Sequence, residues 1–205
     1  MSDHCCPAPA PSADPRYRRI LWIALAVNAA MFLVELGASA ASGSAALAAD
    51  AVDFGGDAAN YGLSLAAIAA GGMWASRAAL VKGVAMGAYG FGVLAFCAWR
   101  IHVGTPPEAL TMGVIGALAL AANLWVAWLL YAYREGDANM RSVWLCSRND
   151  AISNLAVLAA ALGVFGTGNY WPDVAVAALM ASLALYSAGS VILHARSELR
   201  PQRVQ

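Results

Sequence analysis

The sequence predicts an all-α integral membrane protein of six transmembrane helices with both termini cytoplasmic, and three observations carry that expectation. Hydrophobic residues fill 61% of the 205 positions and charged residues 12%, with a mean hydropathy of +0.62, outside the range of soluble globular domains. The apolar residues fall into six runs, each near the roughly 20 residues that a helix needs to cross a hydrocarbon core about 30 Å thick. The basic residues are concentrated at one alternating set of connections, as the positive-inside rule requires.

Residues 1–17 are rich in Pro, Ala and Ser and read as a disordered cytoplasmic tail. The tail is not a cleaved signal, because the first apolar run begins only after Arg16, Arg18 and Arg19 and is too long for one. Within it, Asp3, His4, Cys5 and Cys6 gather soft and borderline metal ligands, which suits either a metal-capturing tail or incidental thiols. The transmembrane domain is expected over 18–197. Its first segment covers about 20–41, with Asn28 and Glu35 seven residues apart on one helical face.

Segment two follows over about 45–71, then a turn in GGMWASR. Segment three runs over about 78–101, where Gly83, Gly87, Gly90 and Gly92 offer close helix contact. The paired prolines of GTPPE forbid helix continuation. Segment four covers about 109–133 and ends in Trp125, Trp128, Tyr131 and Tyr133, an interfacial aromatic belt. Segments five, about 142–164, and six, about 173–193, are separated by GTGNYWP. A short cytoplasmic tail, 198–205, closes the chain, and no soluble C-terminal domain is expected after it.

With six crossings, ten of the twelve basic residues, Arg77 and Lys82 among them, fall on one side and only Arg100 on the other, while Arg148 sits inside a helix. That side is the cytoplasm. The four cysteines suggest no disulfide framework, since Cys5 and Cys6 are adjacent and Cys97 and Cys146 occupy different apolar runs.

Ionisable residues inside a bilayer are costly and need a reason. In DAVDFGGDAAN, Asp53 and Asp57 stand four apart, one turn along the same face, with Cβ atoms roughly 5–6 Å from each other. Cys146 and Asp150 repeat the spacing in LCSRNDAISN, so two helices can close four ligands around one divalent cation. Asp50 fits either a ligand or a helix-start role. Asn60, Asn149 and Asn154 fit either outer donors to the carboxylates or interhelical contacts. Cys97 reads as a core residue, His102 and His194 as interfacial, and Arg148 as lying off the acid face towards the cytoplasmic mouth.

The chain resembles the cation diffusion facilitator family of divalent-metal/proton antiporters, from about residue 19 to 194. The likeness is carried by GSAALAADAVDFGGDAAN, by the second ligand pair and by WPDVAVAALMASLAL at the start of segment six. It implies that Asp53, Asp57, Cys146 and Asp150 are the transport-site ligands near mid-membrane and that the protein is a homodimer. Cys146 stands where most zinc-transporting members have histidine. The usual cytoplasmic C-terminal domain and the histidine-rich loop between segments four and five are absent from this sequence.

The function expected is export of a divalent metal, Zn²⁺ first and Cd²⁺, Co²⁺, Ni²⁺ or Fe²⁺ as alternatives, in exchange for protons. A bacterial cytoplasmic membrane is the expected location. A rival class is a non-transporting membrane metal sensor or partner subunit. An enzyme is disfavoured, because the ligands form a closed set and no separate base or nucleophile appears. The metal is cargo, with no prosthetic group, and the partners are metal, protons and lipid, without nucleic acid. The charge asymmetry predicts that a cysteine introduced next to Arg203 resists an impermeant thiol reagent in intact cells and reacts after permeabilisation. Labelling from outside would overturn the topology.

Overall fold

A computed structural model describes residues 15–70, 72–135 and 138–199, apart from some side chains within the helices. Six long helices follow one another: α1 (Pro15–Ser42), α2 (Ala45–Ala70), α3 (Gly72–Val103), α4 (Ala109–Leu130), α5 (Ala138–Thr167) and α6 (Trp171–Leu199). A short 3₁₀ turn (Tyr131–Tyr133) extends α4. The described residues contain no strand, in agreement with the all-α expectation.

Stretches in α1, α3, α4, α5 and α6 are long and apolar enough to cross a membrane. The helix outside that set is α2. Its 26 residues carry three aspartates, yet at about 1.5 Å per residue it is long enough for a 30 Å core. Its polarity is tolerated because α2 packs against α1, α3, α5 and α6, so neighbouring helices rather than lipid cover much of it.

The helices run past the apolar segments because the bilayer, not helix propensity, sets the limits of those segments. Residues 15–17, assigned to the tail, already belong to α1, and α6 continues to Leu199. The turn expected in GGMWASR is instead the start of α3, since nothing in it after the glycines breaks a helix. The tail motif at Asp3–Cys6 lies outside the described residues, as do residues 200–205.

Three connections at one end of the bundle are built alike. Gly43, Gly104 and Gly168 adopt φ of 72°, 70° and 62°, the left-handed conformation that ends a helix, and their N–H groups donate to Ser39, Arg100 and Val164. The α1–α2 and α5–α6 turns are then joined through Asp173. Its carboxylate accepts hydrogen bonds from Ser44 Oγ at 2.6 Å and from the N–H groups of Ala45 and Ala46 at 2.8 and 2.9 Å. Ser44 Oγ in turn accepts from Leu47 N–H. The first turn of α2 thus has its exposed donors satisfied partly from its own cap and partly from α6. Since α2 starts at Ala45, Asp50 is well inside the helix and plays no helix-start role.

The helices pair most extensively as α3 with α6, α1 with α2 and α4 with α5. The α3–α6 seam is lined by glycine, as expected, but not by all four. A Cβ at Gly83 would come within 2.8 Å of Ile192, one at Gly90 within 3.0 Å of Leu185, and one at Gly87 would touch Ala188 at 3.7 Å. Gly92, off that face by helical period, has nothing within 4 Å. On α4, Trp125, Trp128 and Tyr131 point outwards, as a belt should, whereas Tyr133 turns in against the Tyr17 ring.

Lys82, counted with the basic residues of the cytoplasmic side, lies inside α3, within the expected third segment, and is buried. Gly83→Val and Gly90→Val should each lower stability by about 1–3 kcal/mol through overpacking of the seam, while Gly92→Ala should be neutral or slightly stabilising. Thermal melting in detergent distinguishes them, and equal melting points for all three would refute the seam.

Candidate metal centre

Asp50, Asp53 and Asp57 all lie in the first half of α2, on the helix that touches most of the others. Two polar clusters form around them, one sealed and one partly open. The sealed cluster joins four helices. Asn123 of α4 donates to Asn154 Oδ1 of α5 at 2.8 Å, and Asn154 Nδ2 donates to Asp50 Oδ2 at 2.5 Å. Glu35 of α1 reaches the Asp50 carboxyl. All four of these side chains are buried. Among the described residues no N–H or O–H donor reaches either Glu35 oxygen, so a hydrogen bond between the two carboxyls requires that one of them hold a proton. Asn28, on the Glu35 face as predicted, is also buried and donates to Ala24 O at 2.8 Å.

The partly open cluster contains three of the predicted ligands. Asp53 and Asp57 are half-buried and within electrostatic reach of each other, and the Asp57 carboxyl comes within hydrogen-bonding reach of Asp150 on α5. Helices α2 and α5 touch over only a short stretch, and this carboxyl pair lies between them. One turn further along α2, Tyr61 OH and Ser147 Oγ are 2.8 Å apart and buried, which ties the same two helices together beside the site.

Three of the four predicted ligands therefore occur in one neighbourhood. The fourth, Cys146, is on α5 one turn before Asp150, and its side chain lies outside the described residues. Among the described residues no three His, Cys, Asp or Glu side chains converge as a ready-made metal cage. Two carboxyls facing each other from different helices can either share a proton or flank a cation, and the choice between those states is the chemistry available here.

The other candidates resolve differently. Asn154 serves the sealed cluster through Asp50, and Asn60 accepts a hydrogen bond from the Lys82 ammonium. Asn149 accepts from Arg148 at 3.2 Å, and the exposed Arg148 guanidinium lies 5.4 Å from the centre of the Trp144 ring, off the acid face. His102 is exposed with its ring against Trp99, and the side chain of His194 lies outside the described residues. Cys97 is a core residue. Asn123 was not anticipated, although a lone asparagine in the apolar run of α4 is itself a signal of interhelical bonding.

Comparison with known proteins bears on this arrangement. The chain is 30% identical over 86 residues to a Bacillus velezensis protein named as a cadmium, cobalt and zinc/H⁺–K⁺ antiporter, over 40% of this chain and 28% of that relative's length. The cation efflux transmembrane domain family matches residues 21–200, which takes in nearly the whole helical bundle and both acid-bearing helices. The chain belongs to that family, the cation diffusion facilitators, as an all-helical, multi-pass membrane domain.

Proposed function

We propose that the protein exports a divalent transition metal, Zn²⁺ foremost, from the cytoplasm in exchange for protons, using Asp53, Asp57, Cys146 and Asp150 as ligands. The approach of Asp57 to Asp150 from separate helices is the observation that carries this reading. It sets one carboxyl of each predicted pair beside the other, half-buried and therefore reachable, within a family of cation efflux proteins. The bacterial cytoplasmic membrane and a homodimeric assembly complete the proposal.

The coupling follows from ligand chemistry. Carboxylates and thiolate must lose their protons to coordinate metal, so metal and protons exclude each other at the site. At the cytoplasmic face, low proton activity favours loading. At the opposite face, a higher proton activity displaces the metal. Alternating access would be a rocking of helices around the fixed site. The thiolate of Cys146 extends the metal range towards thiophilic ions, in keeping with the cadmium and cobalt in the relative's name.

Two outcomes test the assignment. Metal uptake into inside-out vesicles should accelerate when the lumen is acidified, and indifference to the proton gradient would point to a uniporter or a sensor. Cys146→His should keep zinc transport and lose relative preference for Cd²⁺, whereas Cys146→Ala should impair both. Wild-type rate and selectivity in Cys146→Ala, normalised to membrane protein, would remove Cys146 from the ligand set.

A further inference from the structure

Lys82 is a buried cation inside α3, on the side of the bundle where α2 carries its acids. Its ammonium donates to Asn60 Oδ1, on the turn of α2 that follows Asp57, and its charge acts on the Asp57 carboxyl. A lysine at a membrane helix end ordinarily extends its head to the interface. Here the head is turned inwards and held by a side-chain acceptor. The adjacent Gly83 draws this part of α3 tightly against α6, so the stem has a fixed origin from which to reach across to α2.

We infer that Lys82 is a tethered counter-ion of the Asp57–Asp150 site, a positioning and affinity-setting residue that competes with the transported metal. The inference rests on the proposed metal site. When the site holds no metal, the fixed positive charge offsets the carboxylates, in a medium where an uncompensated charge is costly. When a divalent ion enters, the same charge opposes it. The ammonium must then swing aside or remain at a repulsive distance. Lys82 thereby weakens metal binding and speeds metal release, because the cation that succeeds the metal is already attached to the protein.

This role separates affinity from turnover, which a packing role does not. Zinc binding to the purified full-length protein in lipid nanodiscs is measured by competition with a fluorescent chelator, and zinc uptake is measured in proteoliposomes. The binding that disappears in Asp57→Asn defines the site. Lys82→Met and Lys82→Gln should tighten that binding on the order of tenfold, the scale of removing one unit charge near a divalent ion. Both should also lower KM together with the maximal rate, while Lys82→Arg should retain wild-type values. Unchanged or weaker zinc binding in both neutral variants would overturn the inference, as would a lost rate with unaltered affinity. The glutamine variant keeps the test alive if methionine impairs folding. If Asp57→Asn binds zinc as well as wild type, the metal site itself is misplaced, an outcome distinct from failure of the lysine variants, and the inference falls with it.

Discussion

The hydrogen bond from Asn154 to Asp50 is the contact on which the arrangement most depends. A carboxyl group in the middle of a membrane helix needs a donor from another helix, since lipid offers none. Asn154 supplies it from α5 and is itself oriented by Asn123 from α4, while Glu35 approaches the same carboxyl from α1. The four helices are thus registered to one another at a single depth. Fixing α2 against α5 at this point also fixes where Asp57 and Asp150 meet, because each lies about a helical turn or two from the bonded pair.

The bundle sets rigidity against access. At the glycine-turn end, α2 begins against the Asp173 carboxylate of α6, with Ser44, Ala45 and Ala46 all donating to it. Further along, the Glu35–Asp50–Asn154–Asn123 group is closed to solvent. Beyond that, Asp53, Asp57 and Asp150 are only half-buried, and the polar contacts become ones that can exchange: a carboxyl pair, a lysine and a Tyr61–Ser147 bridge. A site that must bind and release an ion needs this combination, with ligands held in register by neighbours that do not themselves have to move.

Much of this was legible in the sequence wherever the helical period alone decides the outcome. Asp53 and Asp57 share a face whatever surrounds α2, and Asn28 and Glu35 had to be buried together, as they are. Glycines 83, 87 and 90 form a seam by the same arithmetic, which also excludes Gly92. What depends on contacts between distant segments was not legible. No local pattern says that Asp173 would satisfy the start of α2 from about 130 residues away, or that Asn154 would choose Asp50 over the predicted ligands. Helix ends were misjudged because hydropathy reports the thickness of the bilayer, whereas the helices continue into water. That Lys82, counted with the basic residues of the cytoplasmic side, turns inwards to Asn60 is likewise a contact between segments that no local pattern reports.

The central claim is that one thiolate from α5 joins carboxylates from α2 and α5 around a single transported ion. X-ray absorption spectroscopy of the zinc-loaded protein, with Cys5 and Cys6 replaced by serine so that the tail contributes no sulfur, addresses it most directly. The account predicts one sulfur neighbour at about 2.3 Å with the remaining shell of oxygen at about 2.0–2.2 Å, the sulfur vanishing in Cys146→Ser. A shell of oxygen and nitrogen alone, or a sulfur that persists in Cys146→Ser, would contradict it.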